Sequence, residues 1–260
     1  MQKTIVIKIG TSVLSNNGKL DRNLLERLVD AVSVANRELK YPTVVVTSGA
    51  ILTGIEALGW SKKPSSLSLR EKQVAAAVGQ PLLMKEYVEL FLKKNIMVAQ
   101  ILVTEEDFSI KTCFNNFIRT VKALLQSNII PIINENDAIS VRELVNVLNV
   151  DSQIRFGDND RLSAIISSNI RASRLIILTD VDGVFDLKGK LIKEIRISEI
   201  EELLKKLKGG NEYGRGGIKS KLEAALLAAS KGVKVNIING KRPENLLELL
   251  SGQNIGTLIW

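Results

Sequence analysis

The stretch IIPIINEND, residues 129–137, joins an apolar run to four consecutive polar residues. Its first five residues contain no alternating polar side chain, which predicts a strand that is covered on both faces. The run TVVV at residues 43–46 has the same character. Pro131 cannot donate a backbone hydrogen bond, so we expect it at a sheet edge or a bulge. Strands covered on both faces are typical of parallel sheets that lie between two layers of helices.

Such strands alternate with amphipathic helices along the whole chain. Repeated βα units predict an α/β fold, a three-layer α/β/α sandwich with a mainly parallel central sheet. No repeat or linker divides the sequence, so we expect a single domain over residues 1–260. The predicted strands are 4–9, 43–47, 97–103, 129–133, 175–179 and 233–238, and the predicted helices are 21–39, 69–78, 82–94, 114–127, 198–208, 218–231 and 243–250, with a break of small residues at 77–80.

The composition excludes several classes of function. The chain has no histidine, which removes Ser-His-Asp and Cys-His catalysis and most catalytic zinc sites. Its single cysteine, Cys113, excludes an internal disulfide and a cysteine-based zinc site. We find no signal-peptide layout and no apolar run of membrane-spanning length, and therefore expect a cytoplasmic protein without a membrane partner. The net charge of +8 is scattered over helix faces, which favours solvated surfaces over a nucleic-acid partner.

Open α/β sheets bind ligands beyond the carboxyl ends of their strands, and unusual residues of this chain concentrate there. Lys8 lies in an otherwise apolar strand, where an unpaired ammonium group is costly to bury. Gly10 follows it and would let a ligand approach the backbone. A bound phosphate would resolve the cost of burial; the alternative is a lysine that reaches solvent from an edge strand.

Two further strand exits carry small and polar residues. Ser48 and Gly49 follow the strand 43–47 and precede a helix, whose free N-terminal N–H groups suit an anionic ligand. Asn134 and Asp137 belong to the four polar residues that follow the strand 129–133. The alternatives are an ordinary βα turn at the first exit, and Asx-turn or capping roles at the second.

The segment FGDND, residues 156–160, opens a predicted helix. Asp158 or Asn159 could cap that helix, so Asp160 is redundant for capping. A second acid at this point could instead orient lysines or a substrate that bears an ammonium group.

Two segments nearer the C-terminus also suit phosphate binding. Thr179 and Asp180 end the strand 175–179. The stretch GRGGIKSK, residues 214–221, lacks the spacing of a Walker A loop but offers backbone donors, a helix N-terminus and Lys221. These strand exits together predict a phosphoryl-transfer site that operates without histidine.

The motifs KIGTS, VTSGAI, AAVGQ, PIINEND, FGDNDRLSA and LTDVDGVF, in this order, resemble those of the amino acid kinase superfamily, and within it those of the glutamate 5-kinases. The resemblance extends over residues 8–258. It implies the amino acid kinase fold and transfer of the γ-phosphate of ATP to the γ-carboxylate of L-glutamate, the first step of proline biosynthesis. It also implies Mg²⁺ held by ATP phosphates rather than by protein ligands, a dimer or tetramer, and feedback inhibition by proline.

The same resemblance implies roles for single residues. Lys8 and Lys221 would act on the phosphates as catalytic residues, with Asp160 orienting them. Glutamate would bind mainly to the N-terminal part, and the nucleotide mainly to residues 170–260. The implied glutamate contacts are Ser48, Gly49, Asn134, Asp137 and Asn159, and the implied nucleotide contacts are Lys8, Gly10, Thr179, Asp180, Arg215, Gly216, Gly217 and Lys221.

Three features depart from the pattern of that family. Arg215 replaces a small hydroxyl residue, the stretch 137–157 is longer than usual, and the sequence ends at Trp260, so we expect no C-terminal PUA domain. Three alternatives stay open at this point. They are a related kinase acting on N-acetylglutamate or aspartate, a non-catalytic sensor of ATP or an amino acid, and an RNA-binding module.

Overall fold

The computed structural model describes residues 3–140, 159–186, 188–208 and 217–260. Asp158, Arg215, Gly216 and most of the long stretch 137–157 lie outside the described residues. The strands are β1 (Ile5–Ile9), β2 (Ser15–Asn16), β3 (Lys19–Leu20), β4 (Thr43–Val46), β5 (Val98–Val103), β6 (Ile130–Glu135), β7 (Arg174–Thr179), β8 (Glu194–Ile195), β9 (Lys234–Asn239) and β10 (Thr257–Ile259). The α-helices are α1 (Thr11–Leu14), α2 (Arg22–Arg37), α3 (Ala50–Ala57), α4 (Leu69–Leu92), α5 (Glu105–Ser109), α6 (Lys111–Gln126), α7 (Asn159–Ile170), α8 (Ile197–Lys208), α9 (Ile218–Ala229) and α10 (Glu244–Leu250).

The described strands form one large sheet and a short hairpin of β2 and β3. The order in the large sheet is β5-β6-β4-β1-β7-β9-β10-β8. Neighbouring strands are parallel except for β9 and β10, which are antiparallel. Lys8, on β1, therefore lies in the middle of the sheet, opposite Val46 of β4 and Ile177 of β7.

Alternate residues of β1 face two different helical layers, because side chains of a strand point to opposite faces in turn. Ile5, Ile7 and Ile9 pack with residues of α2, α4 and α10. Val6 packs with residues of α6, α7, α8 and α9. Helices thus cover both faces of a mainly parallel sheet, and the predicted three-layer fold is confirmed. Lys8 shares the parity of Val6 and faces the layer that contains α7 and α9.

The predicted break at residues 77–80 is wrong. The two expected helices, 69–78 and 82–94, form the single helix α4, even though Pro81 removes one helical hydrogen bond. The small residues instead permit a close crossing with α3, the helix expected after the strand exit at Ser48 and Gly49. A Cβ atom on Gly79 would lie 1.9 Å from the carbonyl oxygen of Ala50, and one on Gly54 would lie 1.8 Å from that of Ala75.

Pro131 lies neither at a sheet edge nor at a bulge, contrary to the prediction. Its strand, β6, pairs with β5 on one side and β4 on the other. The Ile130 amide donates to the carbonyl of Met97, on the β5 side, so the nitrogen of Pro131 faces β4. The register of β4 with β6 begins only at Ile132, one residue later. Pro131 therefore precedes the first β6 residue that pairs with β4.

Replacing Gly79 by alanine tests the close crossing of α3 and α4. We expect Gly79→Ala to lower the free energy of unfolding by about 3 kcal/mol, because the new Cβ would overlap backbone atoms that cannot rotate away. Denaturant unfolding measures the change. Val74→Ala, at an exposed position of the same helix, is the control and should change stability by less than about 0.5 kcal/mol. Equal stability of both variants would contradict this packing.

Candidate active site

A buried carboxylate joins three distant segments of the chain at the centre of the site. Asp160 Oδ1 lies 2.7 Å from Lys8 Nζ, and Asp160 Oδ2 lies 3.2 Å from Lys221 Nζ. Ser220 Oγ donates a hydrogen bond of 3.0 Å to Asp160 Oδ2. All three charged side chains are more than nine-tenths buried. Lys8 is thus a paired lysine of a central strand, and the alternative of an edge-strand lysine that reaches solvent is wrong.

Local structure explains why these three side chains meet. Lys8 sits at the carboxyl end of β1 and faces the layer of α7 and α9. Asp160 is in the first turn of α7, and Lys221 is in the first turn of α9. Burial of ammonium and carboxylate groups is tolerable only where they are paired and hydrogen-bonded, which these contacts achieve.

The N-termini of α3, α7 and α9 converge on the same region. Ser48, just before α3, accepts a hydrogen bond of 2.9 Å from Asn159 Nδ2, at the start of α7. Ser220 and Lys221 connect the start of α9 to Asp160. A helix N-terminus carries unpaired N–H groups and a partial positive charge, so three of them favour an anionic ligand.

Two glycines flank the lysine ammonium groups. A Cβ atom on Gly10 would lie 3.3 Å from Lys8 Nζ. Gly217 adopts a φ of +70°, and its Cβ would lie 3.6 Å from Lys221 Nζ. The absence of a side chain at both positions lets a ligand approach the backbone and the ammonium groups together.

A chain of side-chain amides leads away from Asp160. Asn159 Nδ2 donates to the carbonyl oxygen of Thr47 at 2.8 Å and to Asn134 Oδ1 at 3.0 Å. Asn134 Oδ1 also accepts from the backbone amide of Glu135 at 2.9 Å. Asn134 Nδ2 donates to Gln80 Oε1 at 2.8 Å. Three of the predicted glutamate contacts, Ser48, Asn134 and Asn159, are therefore in one hydrogen-bonded network.

A buried tyrosine forms a hydrogen bond with the residue that follows β4. The hydroxyl groups of Thr47 and Tyr87 share a hydrogen bond of 2.8 Å. Burial raises the pKa of Tyr87, whose hydroxyl is protonated at neutral pH even at its ordinary pKa. The contact of Tyr87 with Thr47 could not be predicted from the sequence, because a tyrosine within a helix is indistinguishable there from an ordinary core residue.

A cavity of about 310 Å³ opens next to the amide chain, between α3, α4 and the exits of β5 and β6. This volume suits a small molecule. Asp137 lines it directly, and the neighbours of Gly49 and Asn134 do so as well. The lining residues are Ala50, Ala76, Ala77, Gln80, Pro81, Gln100, Leu102, Glu135, Asn136, Asp137 and Ala138.

The exit of β7 lies beside the turn that follows β1. Thr179 Oγ1 donates to Asp180 Oδ1 at 3.2 Å, and Ser12 Oγ contacts the same oxygen at 3.4 Å. Asp182 accepts a hydrogen bond of 2.8 Å from Asn239, which ends β9. The predicted nucleotide contacts at Gly10, Thr179 and Asp180 thus share one end of the sheet.

Known proteins resemble this chain over most of its length. Residues 3–239 match the model of the amino acid kinase family. The chain belongs to that family. It is 40% identical over 265 residues to a glutamate 5-kinase of Oceanobacillus iheyensis, covering 99% of this chain and 68% of the relative. It is 41% identical over 266 residues to a glutamate 5-kinase of Clostridium perfringens, covering 98% of this chain and 94% of the relative. The resemblance found in the sequence motifs is confirmed.

Solved structures of other amino acid kinase folds superpose on this chain. N-acetylglutamate synthase of Neisseria gonorrhoeae, bound to coenzyme A and L-arginine, gives a TM-score of 0.70 at 15% identity and covers 99% of this chain and 61% of its own. The product complex of isopentenyl phosphate kinase from T. acidophilum gives 0.63 at 16% identity, covering 99% and 100%. At these identities the likeness establishes the fold alone.

Two further observations concern membrane-spanning helices and metal sites. In the ranges that the structure describes, no helix combines the length and apolar character required to span a bilayer. Within the same ranges, no three carboxylate or cysteine side chains are grouped as a metal site would require.

Removing the central carboxylate tests its part in holding the buried lysines. We expect Asp160→Ala to lower the free energy of unfolding by about 3–5 kcal/mol, because both ammonium groups lose this buried partner. Asp182→Ala removes an exposed carboxylate and is the control, with a change of about 1 kcal/mol or less. Thermal or denaturant unfolding compares the two. A loss below about 1 kcal/mol for Asp160→Ala would count against a structural role of this ion cluster.

Proposed function

We propose that this chain transfers the γ-phosphate of ATP to the γ-carboxylate of L-glutamate, the reaction that opens proline biosynthesis. The contact of Lys8 and Lys221 with one buried carboxylate, Asp160, carries the phosphoryl-transfer assignment. The choice of glutamate is supported by about 40% identity to glutamate 5-kinases over nearly the whole chain.

The proposed chemistry needs no histidine. A glutamate side chain has a reference pKa of about 4.3, so the attacking carboxylate is already ionised at neutral pH and requires no general base. Catalysis then consists of positioning the two substrates in line and of stabilising charge on the transferring group. Lys8 and Lys221 would offset negative charge on the phosphate oxygens, and Asp160 would hold both ammonium groups in place.

The converging helix N-termini and the glycines at 10 and 217 fit a triphosphate beside the two lysines. Mg²⁺, held by the phosphate oxygens, would neutralise further charge on the nucleotide. Residues 170–260 would supply most nucleotide contacts, through Thr179, Asp180, Arg215, Gly216, Gly217 and Lys221. The N-terminal part would supply most glutamate contacts, through Ser48, Gly49, Asn134, Asp137 and Asn159.

The family resemblance extends the proposal to regulation and assembly. Proline would inhibit the enzyme, and the chain would form a dimer or tetramer. We expect the enzyme to act in the cytoplasm, where ATP is available.

Trapping of the acyl phosphate tests the substrate assignment. The purified protein is incubated with Mg-ATP, hydroxylamine and one of L-glutamate, N-acetyl-L-glutamate or L-aspartate. We expect ADP release and the γ-hydroxamate with L-glutamate. Turnover only with one of the other two acids would overturn the choice of glutamate, and no turnover with any would overturn the kinase assignment.

Substitution of Lys221 tests its catalytic role. We expect Lys221→Met to lower kcat by about 100- to 1000-fold, since it removes one charge that faces the transferring phosphate while keeping a similar side-chain length. Lys219→Met, two residues earlier on α9, removes an exposed lysine that pairs with Glu223 and should leave kcat within about 2-fold. Similar kcat values for the two variants would remove Lys221 from the mechanism.

Asp137 is expected to act on glutamate binding rather than on the chemical step. Its carboxylate lines the cavity and suits the α-ammonium group of glutamate. Asp137→Ala should raise the KM for glutamate by about 10-fold or more and leave the KM for ATP unchanged. Initial rates at varied glutamate and ATP measure both constants, and an unchanged glutamate KM would reject the assignment.

A further inference from the structure

Gln80 occupies a defined place between the amide chain and the cavity. It lies on α4, next to the close crossing at Gly79, and it lines the cavity of about 310 Å³. Its Oε1 atom accepts the hydrogen bond of 2.8 Å from Asn134 Nδ2. The residue therefore touches both the network that reaches Asp160 and the space that a substrate would occupy.

The orientation of the Gln80 amide is set by backbone groups that can only donate or only accept a hydrogen bond. The backbone amide of Glu135 can only donate, so Asn134 must present its oxygen to Glu135 and its nitrogen to Gln80. Asn159 reinforces this orientation, because its nitrogen donates to the same Asn134 oxygen and to the carbonyl of Thr47. Gln80 must accordingly present Oε1 to Asn134.

The Gln80 Nε2 group is left with its two donors on the other side of the amide. Within the part of the chain that the structure describes, Gln80 makes its one hydrogen bond through Oε1. A locked amide with available N–H groups at the wall of a cavity is prepared for an acceptor, and such preorganisation reduces the entropic cost of binding.

The charges around the cavity indicate which acceptor this is. Glutamate carries two carboxylates and one ammonium group, and its reacting carboxylate belongs beside Lys8 and Lys221. No lysine or arginine occurs among the described residues that line the cavity, whereas Glu135 and Asp137 do, and their carboxylates suit the ammonium group. Neutral donors can bind the second carboxylate of glutamate, and Gln80 supplies a pair in a set orientation.

We propose that Gln80 is a specificity-determining substrate contact, whose Nε2 group donates to the carboxylate of glutamate that is not phosphorylated. The inference rests on the proposed glutamate kinase function. It explains how the site distinguishes a substrate with a free second carboxylate from one in which that group is neutral.

Two substitutions and two substrates test this contact. Gln80→Leu removes the donors without adding charge, and Gln80→Glu replaces the donors with a negatively charged acceptor that can still bind Asn134. Each is assayed with L-glutamate and with its α-amide, which keeps the reacting γ-carboxylate but has an amide in place of the α-carboxylate. The α-amide is measured both as a substrate and as a competitive inhibitor, so its affinity is obtained in either case.

We expect the preference for glutamate over the α-amide to fall about 10-fold in Gln80→Leu, and about 100-fold in Gln80→Glu. The second loss is larger because the introduced carboxylate repels the α-carboxylate and accepts a hydrogen bond from the α-amide. The KM for ATP should stay at the wild-type value in both variants. The midpoint of thermal unfolding should stay at the wild-type value in Gln80→Glu, whose carboxylate still accepts from Asn134, and should fall in Gln80→Leu, which leaves the buried Asn134 Nδ2 without this acceptor.

A purely structural role for Gln80 would weaken both substrates equally and leave their ratio unchanged, and that result would overturn the proposal. A smaller effect of Gln80→Glu than of Gln80→Leu would overturn it too. The wild-type protein separates this failure from failure of the proposed function. If wild type yields no hydroxamate from glutamate, the function is wrong; if it does and the ratio is unchanged in the variants, only the role of Gln80 is wrong.

Discussion

The ion cluster of Lys8, Asp160 and Lys221 is the constraint on which the rest of the site depends. A buried ammonium group is costly without a partner, and here two of them share a carboxylate that is itself fully buried. The contact ties the central strand β1 to the first turns of α7 and α9. It therefore sets where two helix N-termini lie relative to the sheet, and with them the region of positive potential that suits phosphates.

The cavity proposed to bind glutamate depends on a second constraint, the close crossing of α3 and α4. Gly54 and Gly79 bring the two helix backbones together, which places Gln80 within hydrogen-bonding distance of Asn134. The amide chain then runs from the cavity to Asn159, the neighbour of Asp160. The proposed substrate-binding and phosphate-binding residues are thus linked by contacts between residues that are adjacent in sequence or in space.

Much of the fold and part of the site could be predicted from the sequence. Uninterrupted apolar runs identified the parallel strands, and Lys8 stood out as the charged residue within one of them. Polar residues at strand exits pointed to Asn134 and Asp160, because the carboxyl ends of parallel strands meet at one edge of the sheet.

The rest of the fold and the site could not be predicted, because it depends on distances between elements that a sequence pattern does not contain. Small residues at 77–80 indicate a break as readily as a close helix crossing, and only the position of α3 distinguishes the two. The prediction of an edge or a bulge at Pro131 was wrong, because local sequence does not reveal where a neighbouring strand begins to pair. The orientation of the Gln80 amide follows from backbone groups of Thr47 and Glu135, which no side-chain motif records.

Transfer of an isotope from substrate to phosphate tests the central claim most directly. L-Glutamate labelled with ¹⁸O in its γ-carboxylate is incubated with Mg-ATP, the protein and hydroxylamine, and the released phosphate is analysed by mass. Attack of the γ-carboxylate on ATP, followed by attack of hydroxylamine at the acyl carbon, leaves one labelled oxygen on the phosphate. The account predicts phosphate with one ¹⁸O in amounts equal to the ADP formed. Unlabelled phosphate accompanying ADP, with no γ-hydroxamate formed, would mean that water attacks ATP at this site, and would contradict transfer to glutamate.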